Sequence, residues 1–367
     1  MNKMIVANLA YRPLRSLISI IAVAVEVTLI LLIVGLATGI LNDNKARNKG
    51  TGADVIVRPP GSSAIIGLTG APVSIKVADK LRVQPHVVAV SPVVLQFVSG
   101  GNVEVIYGID LPSFEAVGGP FRFIEGGPFQ GPDDMLVDDY YADGKNAHAG
   151  TTVELLNHRF RIAGVVEHGR GGRRFIPIQT MQDLIGAEGK ASMFLVKLDD
   201  PANADVVAQQ IKEIPGMSNY SVMSMREWLS LMTPDHVPGL SAFIKVVVGI
   251  AVVIGFIVIF QSMYTAVMER TREIGILKSL GASKIYIVRI ILRETLVLAI
   301  AGIIVGILVS FGARPLLGYK FPTLPVDITF GWIVRATVIA VIGAMLGAVF
   351  PAYKAAQKDP IDALAYE

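Results

Sequence analysis

The sequence predicts a membrane protein with four transmembrane α-helices and an α+β extracytoplasmic domain inserted between spans one and two. Three observations carry this expectation. Of 367 residues, 52% are hydrophobic and only 17% charged, and the mean hydropathy is +0.56, too apolar for a wholly soluble chain. The apolar excess is gathered into four long runs. Between the first two runs, roughly two hundred residues change character and set short apolar stretches between Gly, Pro and Asp, the composition of a globular domain rather than of lipid-facing helix.

Residues 1–16 read as a cytoplasmic N-terminal segment and carry Lys3, Arg12 and Arg15. The first run, 17–41, holds one ionisable group, Glu26. As a helix at about 1.5 Å per residue it is roughly 37 Å long, enough to cross a hydrocarbon core of about 30 Å. Its basic flank resembles the start of a signal peptide, but a signal's apolar stretch is only about 7–15 residues, so the run is expected to be a retained span. The second run, 242–268, has an unbroken apolar centre with Lys245 at one end, where the aliphatic stem can snorkel. The third, 285–311, begins mixed and becomes purely apolar over Thr295–Phe311, and the fourth, 331–352, has Arg335 near its start. That leaves 269–284 as a link, 312–330 as a short external loop and 353–367 as a tail.

Orientation follows from Lys and Arg in the short flanks. Segments 1–16, 269–294 and 353–367 carry eleven, against two in 312–330. Both termini are therefore expected in the cytoplasm of a bacterial inner membrane, with the insert at 42–241 periplasmic. The insert has eighteen basic and twenty-two acidic residues, so the chain's net charge of +3 belongs to its membrane margin. That pattern points to anionic lipid and not to nucleic acid.

Within the insert, β-branched stretches bounded by turn residues predict strands at Asp54–Arg58, Val87–Phe97, Val103–Tyr107, Thr151–Leu156, Phe160–Val166 and Ser192–Leu198. A hairpin turn is expected around 100–102. Helical spacing predicts Thr180–Ile185, Asn203–Ile214 and Ser224–Leu231, with Pro234 and Pro238 breaking the chain before the second span. The chain has no cysteine, which excludes thiolate chemistry and disulfides. Its five histidines lack metal-ligand spacing, and no nucleophile elbow occurs; neither a catalytic residue nor a metal or other cofactor is expected. Asp133-Asp134 and Asp138-Asp139 read as a solvated loop with a hairpin rather than a cation site. Arg170, Arg173 and Arg174 lie on a glycine-flexed stretch, which predicts an exposed loop that, at most, would grip a carboxylate, a phosphate or an acidic partner.

The link between spans two and three is amphipathic: Ile276, Leu277 and Leu280 share a stripe with basic residues on the other faces, and Gly281 supplies the stop. From Glu269 through Arg270, Glu273, Ile274 and Lys278 to Gly281, Ala282 and Ser283, it closely resembles the signature of the MacB/FtsX family of ABC-transporter permeases, departing mainly at Ser279, where Ala is usual. The ending from Phe350 to Glu367 and the segment Asn8–Ser16 are similar to that family's as well.

The resemblance implies a permease subunit that pairs, usually as a dimer with a second copy or paralogue, with two cytoplasmic ATPase subunits. ATP and Mg are then expected in the partner, because this chain shows no phosphate-cradling Gly-rich Lys-Ser/Thr loop. It also implies that Glu269, Arg270, Glu273, Ile274, Lys278, Gly281 and Ala282 form a coupling helix against the ATPase, and that the outer domain meets an adaptor or a substrate of hydrophobic or amphipathic character. An FtsX-like signalling permease acting on a cell-wall hydrolase and a membrane-anchored ligand sensor are the rival readings. Glu26, costly near mid-membrane, is expected to be satisfied by Gln261 or Ser262 of the second span.

Overall fold

The computed structural model describes residues 13–62, 70–99 and 103–358. The turn expected at 100–102, the segment 1–12 and the tail 359–367 lie outside them. The chain divides into two compact units: one of residues 1–38, 239–317 and 326–367, the other of 39–238 and 318–325. Helix α1 (Pro13–Gly50) continues past the boundary expected at residue 41. Its last nine residues are mostly polar and are held by an Asp43–Arg47 ion pair at 3.0 Å one turn apart, and hydropathy registers where lipid ends rather than where a helix ends.

The second unit is a mixed sheet with helices on its faces. Along the chain come β1 (Val55–Arg58), β2 (Val73–Ser74), α2 (Val77–Arg82), β3 (Val87–Ser99), β4 (Val103–Ile109), α3 (Leu111–Gly118), β5 (Phe123–Gly126), β6 (Asp134–Asp138), α4 (Asp139–Lys145), β7 (Thr152–Leu155), β8 (His158–Val166), β9 (Arg174–Pro177), α5 (Ile178–Ile185), β10 (Lys190–Ala191), β11 (Met193–Leu198), α6 (Ala204–Glu213), β12 (Ser221–Ser224) and α7 (Met225–Leu231). Among the described residues the main sheet runs β12-β1-β11-β3-β4-β9-β6-β8-β5, with β7 beside β8. Its β4/β9 and β6/β8 pairs are parallel and the others antiparallel.

Period-2 alternation sorts each strand between layers. On β1, Val55 and Val57 join α2 and α6 in one apolar cluster, while Ile56 faces α3 and α7 in another. A third cluster packs α4 and α5 on β6, β8 and β9. Helix α3 is capped by Asp110, whose carboxylate accepts from Ser113 N, and α7 by Ser224, which accepts from Glu227 N. All nine predicted strands and helices are present, whereas β2, β5, β6, β9, β10, β12, α2, α3 and α4 were not anticipated.

The first unit adds α8 (Leu240–Glu269), α9 (Thr271–Ser279), α10 (Lys284–Lys320) and α11 (Phe330–Gln357). With α1, helices α8, α10 and α11 are long and apolar enough to cross a membrane. Helix α10 runs beyond the expected end at 311 and contains Pro315, so the connection before α11 is shorter than 312–330. Packing inside this unit relies on small residues, which let backbones approach where the surroundings are as apolar as the helices. Ala336, Ala340, Ala344, Ala348, Ala352 and Ala356 recur every fourth position of α11, all buried. Gly302 and Gly306 of α10 sit against Val23, Ala24 and Val27 of α1.

Candidate functional site

The turn from α8 through α9 into α10 gathers the predicted coupling residues into a braced elbow. Ile274 and Gly275 are buried and anchor one face of α9. Lys278 Nζ donates to the carbonyls of Ala356, at 3.1 Å, and of Lys358, tying α9 to the end of α11. Arg270 Nη1 donates to Glu294 Oε2 at 3.0 Å, and both side chains are largely buried. Gly281 adopts φ +93°, a left-handed value that closes α9 at little cost only for glycine. Ala282 is half-buried. Arg272, Glu273, Ile276, Ser279 and Leu280 face outward, Leu280 with 80% of its surface exposed. Thus Glu269 and Glu273 are on the accessible face, while Arg270, Ile274 and Lys278 serve the elbow's internal bracing. Of the apolar stripe, Ile276 and Leu280 face outward and Leu277 is half-buried, while Ile274 takes the inward position.

Glu26 is 4% exposed and its carboxyl packs on Gly255 of α8, near Gly343 of α11. Neither expected partner serves it. Ser262 Oγ hydrogen-bonds Ser19 Oγ at 2.6 Å, and Gln261 is exposed. Glu26 Oε1 has no hydrogen-bond partner among the described residues. Gln261, Thr265 and Glu269 instead form an outward-facing polar row at four-residue spacing beside a groove lined by Leu14, Ile18 and Ile257.

The arginine loop is the second correction. Rather than projecting into solvent, each guanidinium is taken up internally. Arg170 donates to the carbonyls of Gly119 at 2.6 Å and Gly118 at 2.8 Å. Arg173, buried, bridges Asp43 at 2.9 Å and Asp138 at 3.2 Å. Arg174 pairs with Glu104 at 2.7 Å without the alignment of a hydrogen bond, and lies over the Tyr141 ring. The acidic clusters are likewise not a solvated loop, since Asp134 and Asp138 bound the buried strand β6. Asp134 lies below the usual carboxylate range: burial pushes it up, but the backbone N–H groups of Gln130 and Gly131 and the Arg161 guanidinium together outweigh that. For Asp138 burial prevails over Arg173, and its pKa is raised to about 6. Glu294 and Asp43, central to these pairs, were missed by the sequence reading. A carboxylate at the mouth of an otherwise apolar run was the available signal for Glu294.

Comparison with known proteins adds to this geometry. Residues 16–214 match the MacB-like periplasmic core domain and 245–360 the FtsX-like permease C-terminal region. The uncharacterized ABC transporter permease YknZ of Bacillus subtilis is 31% identical over 225 residues, covering 59% of this chain and 55% of that protein. YvrN of the same organism, also named as an uncharacterized ABC transporter permease, is 25% identical, covering 96% of each. The macrolide export ATP-binding/permease protein MacB of Neisseria gonorrhoeae is 27% identical over 64% of this chain and 38% of its own length. The chain therefore spans about half of YknZ, less of MacB and nearly all of YvrN. The crystal structure of the periplasmic region of MacB from Actinobacillus actinomycetemcomitans aligns at TM-score 0.38 and 19% identity, over 49% of this chain and 92% of that one. Matched over more than half of its length by the core domain and over its last three spans by the permease region, the chain belongs to the MacB/FtsX family of ABC transporter permeases.

Proposed function

We propose that this chain is the permease subunit of a bacterial inner-membrane ABC transporter, working as a dimer and coupling ATP hydrolysis in separate cytoplasmic ATPase subunits to movement of its sheet domain, for export or extraction of a hydrophobic or amphipathic substrate. Both termini and α9 lie in the cytoplasm and the sheet domain in the periplasm, where an adaptor joins it if the system has one. ATP and Mg belong to the ATPase. The carrying observation is α9 itself: a short helix braced on three sides by Ile274, Lys278 and the Arg270–Glu294 pair, yet presenting Glu273, Ile276 and Leu280 outward. A braced element transmits displacement to the helices attached to it, whereas a loose one absorbs it. The polar row at Gln261, Thr265 and Glu269 supports a second permease copy packing along α8.

The test is co-purification with a candidate cytoplasmic ABC ATPase subunit. Glu273→Arg combined with Leu280→Asp is expected to lower ATPase binding and permease-stimulated hydrolysis at least about tenfold, with the permease still folded. Unchanged binding and stimulation would remove α9 from the docking role. The FtsX-like reading, in which the domain signals to a cell-wall hydrolase, is favoured if ATPase coupling holds but no substrate moves.

A further inference from the structure

Glu26 places a carboxyl inside the membrane-spanning unit. It is three residues from the middle of the apolar run 17–41, within about one helical turn of it, and is 4% exposed. Its seat is built from glycines on two other helices. A Cβ at Gly255 of α8 would fall 2.0 Å from Glu26 Oε2, and one at Gly343 of α11 would fall 3.8 Å from Oε1, so the carboxyl fills the space that the missing side chain at Gly255 leaves. The next turns of those helices bring buried apolar residues, Ala251 and Ile259 on α8, Ala340 and Ala344 on α11.

Nothing nearby compensates a charge there. Glu26 Oε1 has no hydrogen-bond partner among the described residues. The charged residues nearest along each helix are Arg15 and Asp43 on α1, Lys245 and Glu269 on α8, Arg335 and Lys354 on α11, and, on α10, which meets α1 at Gly302 and Gly306, Glu294 and Arg314. Each is at least eight residues from the contact position on its own helix, about 12 Å along the axis. Tyr264 and Tyr353 are nine and ten residues from Gly255 and Gly343. An ionised carboxylate in this seat would be both dehydrated and unpaired, whereas the protonated acid brings no charge with it. A metal cation would need several oxygen ligands, and the seat offers one carboxyl among glycines and apolar residues. A proton needs only that carboxyl.

We propose that Glu26 is a proton-binding site: while α1, α8 and α11 are packed its carboxyl is a neutral acid, and the proton leaves to water when those helices part. The proton is taken from water and returned to it, so no other reactant enters. Tying the parting of the helices to ATP hydrolysis rests on the coupling function proposed above; proton binding in the resting protein does not.

Infrared spectroscopy of the full-length protein in phosphatidylcholine nanodiscs tests this, with Glu26→Gln as the reference. At about pH 6, where an ordinary Glu of pKa about 4.3 is ionised, wild type minus variant is expected to show the C=O stretch of a carboxylic acid and no carboxylate band. Other carboxyls, Asp138 among them, are common to both and cancel. Should Glu26→Gln fail to fold, Glu26→Met takes its place as the reference. In D2O the acid band is expected to shift slowly in the resting protein, and at least about tenfold faster with a candidate ATPase subunit and ATP, because opening of the closed site sets the rate. A carboxylate band at about pH 6, or a signal that follows sodium rather than proton concentration, would overturn the site. Immediate exchange in the resting protein would overturn its closure. Exchange unchanged by ATP, in a sample that does show permease-stimulated hydrolysis, would overturn the release step. If stimulation itself is absent, the coupling reading fails, and the resting spectrum still decides whether Glu26 holds a proton.

Discussion

Arg173 bridges Asp43 of α1 and Asp138 at the head of α4, partners 130 and 35 residues away in sequence. Truncating one member of such a set leaves buried charge without its counter-ion, which costs about 3–5 kcal/mol, far more than an exposed pair is worth. Arg173→Ala is therefore expected to lower the denaturant midpoint of the solubilised protein by an amount corresponding to that range, while Arg122→Ala, at an exposed pair with Glu167, is expected to change it by less than about 1 kcal/mol. Asp138 carries a pH signature as well. Its folded pKa of about 6 lies above the ordinary carboxylate value, so the folded state holds the proton more tightly. Its contribution to stability is then full below about pH 4 and is lost as the pH rises through about 6, worth on the order of 3 kcal/mol. Melting wild type and Asp138→Asn across pH 4–7 is expected to show that decline in wild type and its absence in the variant. Neither residue was legible beforehand: a Gly-Arg-Gly-Gly-Arg-Arg stretch reads locally as an exposed loop, and only long-range partners bury it.

Among the elements, α10 shows how helix identity and helix packing are written separately. Its apolar run was enough to predict a span, but the side turned toward α1 is set by Gly302 and Gly306. A Cβ at Gly302 would lie 2.6 Å from Val23 Cβ and 2.8 Å from the Ile20 carbonyl, so the two backbones would have to separate. A Cβ at Gly312, on the same helix, meets nothing within 4 Å. Gly302→Ala is expected to cost roughly 1–3 kcal/mol of thermal stability, and Gly312→Ala to be neutral or slightly stabilising. Equal effects from the two would show that close helix contact does not hold this unit together. The alanine repeat of α11 carries the same message, since a four-residue period of small side chains marks a packed face that mean hydropathy averages away. For α9 the local pattern indicated a helix and its stop, while its orientation depended on Ile274, Lys278 and the partners they find on other helices.

For the molecule as a whole, the orientation rests on the distribution of Lys and Arg around the spans, and the absence of cysteine makes it open to direct measurement. Ser283→Cys, exposed at the end of the α9 turn, is expected to react with a membrane-impermeant maleimide only after the cells are opened. Val83→Cys, 77% exposed beyond α2, is expected to react in intact spheroplasts. The reverse pattern would invert the topology and remove the basis for placing the ATPase at α9.

By itself, the sequence determined the four spans, the position of the inserted domain, most of its longer strands and the family. Those features rest on composition, period and short contiguous motifs, which act through neighbours along the chain. Strand order, the ion pairs of Arg173 and Arg174 and the seat of Glu26 against Gly255 were decided only by the tertiary structure. In each, what a charged group costs or contributes is fixed by the counter-charge and the water left around it once distant segments have packed.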